Sequence, residues 1–311
     1  MKKGIFYIIL SGICFAIVNF FVKILGSGDG IGLFNVTSSY PAHELVLARS
    51  IVSFSISLFI IKQRKIPIWG NNKKWLLIRG LAGTVALTMF FYTIHHLPLA
   101  IATIIQYLAP IFTVIIAIII LKERVKTLQW VFILMSFAGV GLITLDRIVQ
   151  SDNTTDSLSL LYIGIGMVSA VFSGLAYTAI IKLRNTDAPI TIVLYFPMVA
   201  IPLMIIFCFW KFTLPVGIEW LLLLIVGIFT QFAQILLTKA LHLGSAATIT
   251  PFQYFGAIYM FLIGFFVFNE KLSMLVNVGF IIILTGVFLN ALYAKRLKMK
   301  NTANHNESSR S

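Results

Sequence analysis

Ten apolar runs follow one another along the chain, joined by short polar connections. They cover roughly residues 5–25, 45–61, 75–94, 99–121, 128–145, 158–181, 190–210, 218–237, 246–268 and 272–293. A helix crossing the hydrocarbon core of a bilayer needs about 20 apolar residues, and every run is near that length. The pattern predicts an all-α polytopic membrane protein with ten transmembrane helices. The first run follows Lys2-Lys3 and has the outline of a secretory signal. It is long enough to span, however, and no clean small-x-small cleavage site follows it, so it reads as a retained first helix.

Composition agrees with this reading. Of 311 residues 59% are hydrophobic and 11% charged, with a mean hydropathy of +0.98. A soluble domain carries about 25% charged residues. The net charge of +14 would suit nucleic acid, but the basic residues sit at the ends of apolar runs and form no basic face, which argues against a nucleic-acid partner. They report orientation instead. With a cytoplasmic N-terminus, the inner segments hold 18 of the 24 Lys and Arg, and the outer ones hold only Arg147, Lys211 and Lys271. The positive-inside rule then puts both termini in the cytoplasm. Cys14 and Cys208 both lie within apolar runs and read as small core residues.

The two halves of the chain repeat one another. Gln106-Tyr107 in span four matches Gln253-Tyr254 in span nine. Glu123 and Glu270 each follow 17 residues later, and Gly139-Val140 matches Gly286-Val287 in the same register. His96-Leu97 matches His242-Leu243 with one extra residue in the second copy. Five crossings are an odd number, so the second copy must be inverted relative to the first. Residues 4–146 form the first repeat, 158–294 the second, and 295–311 a basic polar cytoplasmic tail. Inverted repeats around a midplane site are a transporter architecture.

In these residues the sequence resembles the drug/metabolite transporter superfamily, in its ten-helix form with two EamA-type repeats. The resemblance rests on Leu97-Pro98-Leu99-Ala100, Pro110, Leu121-Lys122-Glu123-Arg124, Gly139-Val140-Gly141 and the weaker copy at Asn269-Glu270-Lys271. Arg49 stands where many members carry an arginine. The resemblance covers almost the whole chain. It implies a carrier whose spans three, four, eight and nine surround a central cavity, with one and six in support, and it leaves the substrate open.

Polar residues at membrane depth are costly, so stripes of them are candidates for a site, although many merely join neighbouring helices. Span eight carries Gln231, Gln234 and Thr238; span three carries Thr84, Thr88 and Tyr92, leading to His95-His96. Span four carries Thr103, Gln106 and Pro110; span nine Thr250, Pro251 and Gln253; span six Ser169, Ser173 and Tyr177; span one Asn19 and Lys23. The expected substrate-binding set is Asn19, Arg49, Thr88, Tyr92, Gln106, Tyr177, Gln231, Gln234 and Gln253. Arg49 has two readings. It is a fork for a carboxylate or phosphate, or it snorkels to the outer surface or ties helix ends. Lys23 reads as a snorkelling residue at the outer end. Pro110 and Pro251 free backbone carbonyls beside these stripes.

All ten acids lie at span ends, in loops or in the tail. That disfavours proton coupling through a buried carboxylate and favours facilitated transport or exchange, with a route through His95 or His96 left open. His43-Glu44 starts like a zinc motif, but Leu47 stands where the second histidine belongs. No nucleotide-binding motif is present: the alternating glycines from Gly26 to Gly32 are broken by Ile31. Asn153-Thr154-Thr155 is a formal glycosylation sequon. The sequence therefore predicts a secondary transporter without catalytic residues, metal or cofactor. Its substrate would be a small amino-acid-like or other polar aromatic metabolite. It would work by alternating access in a bacterial inner membrane, as a monomer or homodimer. The alternatives are a membrane-embedded lipid-modifying enzyme using Tyr92, His95 and His96, or a non-transporting receptor or scaffold.

Overall fold

The computed structural model describes residues 2–28, 36, 38–121, 127–149, 156–243, 252–253, 255–270 and 272–308. The glycine loop beyond Gly28, the basic loop 122–126, the sequon at Asn153, Thr250-Pro251 and Lys271 lie outside them. The helices are α1 (Lys2–Ser27), α2 (Ala42–Arg64), α3 (Lys73–His96), α4 (Leu99–Gln106), α5 (Ala109–Leu121) and α6 (Thr127–Val149). They continue with α7 (Asp156–Leu183), α8 (Pro189–Cys208), α9 (Glu219–Leu243), α10 (Phe255–Phe266) and α11 (Met274–Ser308). The described residues contain no strand. That is what lipid requires of an open chain, because a helix satisfies its own backbone groups.

Seven helical segments are long and apolar enough to cross a membrane; one of them, Leu99–Leu121, comprises α4 and α5 together. The other three expected spans coincide with shorter apolar stretches: Trp130–Ile143 in α6, Phe255–Phe266, and Met274–Gly286 in α11. In span nine the described residues are a turn at Phe252-Gln253 and the 12 residues of α10. The polar tail continues α11 as helix to Ser308.

Helix ends follow local chemistry. Proline, which has no N–H to leave unpaired, opens or precedes α2, α4 and α8 at Pro41, Pro98 and Pro189. The Asn72 side chain caps α3 by accepting from the Trp75 amide at 3.4 Å. Lys65 stops α2 in the left-handed region at φ 52°.

The packing pairs helices across the two halves. α1 lies on α9 and α7 on α3; α1 lies on α10 and α7 on α4 and α5; α2 meets α8, and α6 meets α11. Exchanging each helix for its counterpart in the other repeat leaves this pattern unchanged. Individual bonds do the same: Ser11 Oγ donates to the Ala233 carbonyl at 2.8 Å, and Ser169 Oγ to the Ala86 carbonyl at 2.7 Å. Where α6 crosses α11, a Cβ on Gly139 would lie 2.6 Å from the Gly279 carbonyl, so these glycines allow the backbones to touch.

Acids close both ends of the bundle. At the end where α1 starts, Asp187 accepts from the amides of Asn71 (2.5 Å) and Asn72 (3.3 Å). At the far end Glu44 accepts from the Thr213 amide at 3.1 Å. There too the Tyr40 hydroxyl donates to Glu219, and burial, followed by that carboxylate, holds the phenol above its ordinary pKa. Glu270 reaches the start of α4, accepting from the amides of Leu99 (2.5 Å) and Ala100 (3.1 Å). A carboxylate at a helix N-terminus meets both free N–H groups and the positive end of the dipole.

Candidate functional site

The middle of the bundle is where span four breaks. α4 ends at Gln106, and two residues later α5 begins. Pro110 offers no N–H to the Gln106 carbonyl, and the Ile111 amide turns to Leu108 at 2.9 Å, so the ladder is interrupted at Gln106-Tyr107. The matching Gln253 sits in the short turn before α10. Gln106 and Gln253 both adjoin one cavity of about 110 Å³. Drug-sized sites occupy about 300–1,000 Å³, so this enclosure must widen to accept more than a small group.

Its wall draws on both halves. Asn19 and Phe15 come from α1, Arg49 from α2, Arg79 and Phe91 from α3, and Gln106, Tyr107 and Pro110 from the broken span. Ser173 and Tyr177 come from α7, Phe196 from α8, Gln234 from α9, and Gln253 from the turn ahead of α10. Gln106 is fixed on α7: its Nε2 donates to Ser173 Oγ at 2.7 Å, and its Oε1 lies 2.9 Å from Ser169 Oγ, whose one proton is shared with the Ala86 carbonyl.

Two guanidinium groups dominate the electrostatics. Arg49 and Arg79 are 1% and 2% exposed. Arg79 Nη2 donates to Gln234 Oε1 at 2.9 Å, while its Nε has no partner. Arg49 is bonded through neither Nε nor Nη2. Both cations lie against Phe196, at 5.2 and 5.7 Å from the ring centroid, and Arg49 also lies 5.6 Å from that of Phe91. The described lining contains no Asp or Glu. Arg49 therefore stays away from the membrane surface with Nε and Nη2 unbonded, and Glu44 is engaged by Thr213 instead.

Of the nine residues expected from sequence, Asn19, Arg49, Gln106, Tyr177, Gln234 and Gln253 line this cavity. The other three stand elsewhere. Gln231 closes a seam between α9 and α2, accepting from Ser53 Oγ and donating to Ser57 Oγ at 2.7 Å. Thr88 and Tyr92 face a separate, far-end pocket of about 650 Å³ with His43, His95, His96 and Lys211. Thr88 is satisfied by its own helix, at 2.9 Å from the Thr84 carbonyl. Tyr92 lies beside His96, which stacks on Tyr162 with centroids 4.2 Å apart. Lys23, expected at the membrane surface, instead binds the carbonyls of Ile94 (2.9 Å) and Leu97 (2.8 Å), tying α1 to the end of α3.

Arg79 is the cavity residue that sequence reasoning missed. Like Lys23 and Arg49 it lies within an apolar run, six residues after Lys73, and belongs to none of the polar stripes named above. The available sign was Gly83, four residues on along the same face: a Cβ there would meet Arg79 Nη1 at 2.3 Å and the Phe196 ring at 2.9 Å. Glycine leaves room for the guanidinium to lie back against its own helix.

A polytopic helical bundle built from two repeats around a buried polar cavity defines a membrane transporter for small molecules. The chain belongs to the EamA-like transporter family, which it matches at residues 2–145 and again at 160–292. It is similar to the pseudopaline exporter CntI of Pseudomonas aeruginosa, with 28% identity over 83% of this chain and 85% of that one. An uncharacterized transporter of Helicobacter pylori is 28% identical over 96% of this chain and 97% of its own. The riboflavin transporter of Vibrio cholerae is 25% identical over 86% of this chain and 85% of its own. A solved crystal structure, 19% identical, shares the fold with a TM-score of 0.65 over 93% of this chain and 98% of that one. Relatives named for such different cargoes define the class and leave the cargo open.

Proposed function

We propose that the protein is a secondary carrier that moves a small polar organic metabolite by alternating access. The two halves would rock as inverted five-helix units, 4–146 and 158–294, around the central cavity. The observation that carries this reading is the convergence of Gln106, beside the break in span four, and Gln253, its equivalent in the second repeat, on one cavity. Backbone irregularity is tolerated at membrane depth where it lines such a site. Alternating access requires only a solute gradient and different affinities in the two states. The charge distribution favours both termini in the cytoplasm, and the bacterial relatives favour an inner membrane.

The substrate-binding residues in this reading are Asn19, Arg49, Gln106, Tyr177, Gln234 and Gln253. Thr88, Tyr92 and Gln231 drop out of that set because they line no part of the cavity. Full-length protein reconstituted in liposomes tests the reading, with solute flux compared against Gln106→Ala, Gln253→Ala and Arg49→Ala. Flux is expected to fall at least about tenfold for Arg49→Ala, the scale of losing one good charge-assisted bond. Unchanged flux in all three variants sinks the site.

A further inference from the structure

The carrier reading leaves the chemistry of the cargo open, and the two arginines narrow it. A guanidinium stays charged at any physiological pH. Burying one without a partner is strongly unfavourable, because desolvation is not repaid by any Coulombic attraction. Proteins keep such a group where something else supplies the partner. Here the cavity holds two, Arg49 and Arg79, with no carboxylate among the described lining residues.

The unfilled atoms identify the missing partner. Nε and Nη2 of Arg49 are the two donors along one edge of the guanidinium plane, and both are unbonded. Parallel N–H groups on that edge match the two oxygens of a carboxylate. Arg79 presents one further free donor, its Nε, while Gln234 holds its Nη2. The surroundings are aromatic: the Phe91 and Phe196 rings flank Arg49, and Phe15 and Phe90 complete the apolar wall. Such faces suit the carbon body of an organic acid better than a hydrated inorganic ion.

We propose, resting on the carrier reading above, that the central cavity binds an organic carboxylate. Its oxygens are held by the Arg49 fork, with Arg79 as the second cation, and its apolar body lies on Phe91 and Phe196. The charge comes entirely from the first repeat, through α2 and α3. The second repeat contributes the aromatic face of Phe196 and the amide of Gln234 that orients Arg79.

The test uses the purified full-length protein and a probe series that varies charge at constant shape: benzoate, phthalate, benzamide and benzylamine, with sodium chloride and inorganic phosphate as separate arms. Thermal unfolding midpoints are read for the wild type, Arg49→Gln and Arg49→Lys. Benzoate or phthalate is expected to raise the wild-type midpoint by several degrees, with benzamide and benzylamine inert. Arg49→Gln should abolish the shift, and Arg49→Lys should keep a smaller one, since an ammonium retains the charge but not the fork.

The proposal is overturned by an equal shift from benzamide, by an equal shift from chloride or phosphate, by no shift from any carboxylate, or by a shift that survives Arg49→Gln. Without ligand, Arg49→Gln should melt no lower than the wild type, because it removes an unpartnered buried charge. A drop of several degrees makes Arg49 a structural tie and also overturns the proposal. Flux in liposomes separates this inference from the carrier reading. Carboxylate binding without flux of any probe supports the binding site and defeats the carrier, whereas benzamide flux unaffected by Arg49→Gln supports the carrier and defeats the carboxylate.

Discussion

Gln231 and Gln234 stand one turn apart on α9, both buried, and the hydrogen bonds around them are arranged differently. Gln231 gives both ends of its amide to Ser53 and Ser57 of α2. Both its oxygen and its nitrogen thus find a side chain of the same seam. Gln234 accepts from Arg79, which with Arg49 leaves guanidinium N–H groups without acceptors. Identical residue types thus serve as glue in one place and as cavity wall in the other. A buried polar cluster that balances its own hydrogen bonds is structural, and one that leaves an excess of donors is built for a visitor.

Substitutions sharpen that contrast, and the largest effect on transport among them is expected at Gly83. A Cβ there would collide with Arg79 Nη1 and the Phe196 ring. Gly83→Val should therefore lower transport at least about tenfold by displacing one cation, a penalty of about 1.4 kcal/mol. Gly141, with nothing within 4 Å of a built Cβ, is the matched control: Gly141→Ala should leave flux unchanged.

Breaking the seam should do the reverse. Gln231→Leu strands Ser53 and Ser57 and should cost about 1–3 kcal/mol of stability, the penalty for buried groups left without partners. Flux per folded molecule should remain within about twofold, a residual of roughly 0.4 kcal/mol, read by thermal melts alongside liposome uptake. If flux falls and stability does not, the distinction between the two glutamines fails.

Glu270→Gln tests a third kind of polar contact, the cap on α4. Its loss should destabilise by about 1 kcal/mol, the usual worth of a helix cap, seen as a lower unfolding midpoint. The smallest effect belongs to Thr88→Val. Its hydroxyl bonds its own helix and faces the far-end pocket, so transport and stability should both shift by less than about 0.5 kcal/mol, as for a substitution away from any special contact.

These residues also mark how far the sequence could be read. Membrane character was legible because lipid forbids long polar interruptions, and the two repeats because Gln106 and Gln253 keep register with Glu123 and Glu270. Cavity lining was legible where a residue cannot satisfy itself within its own helix. Threonine can, by bonding the carbonyl four residues back, as Thr84 does with Gly80 and Thr88 with Thr84. A threonine stripe therefore carries little information about what it faces. Gln231 misled for another reason: its partners are serines on α2, and no periodicity on α9 reveals them. Arg79 stands within an apolar run but outside the polar stripes, so nothing along α3 marks what it faces. Its role emerges only when α3 is packed beside Phe196 and Gln234.

The pair of arginines has one more consequence. A cargo that neutralises them is an anion, and an anion crossing a membrane without a compensating ion does electrical work. Across an inside-negative membrane of about 100 mV, each negative charge that leaves gains about 2.3 kcal/mol. At tenfold per 1.4 kcal/mol, that sustains a gradient of roughly fiftyfold. A carrier with no titratable carboxylate among its described cavity residues would then still have a source of drive, the resting voltage, and the voltage would point net flow outward.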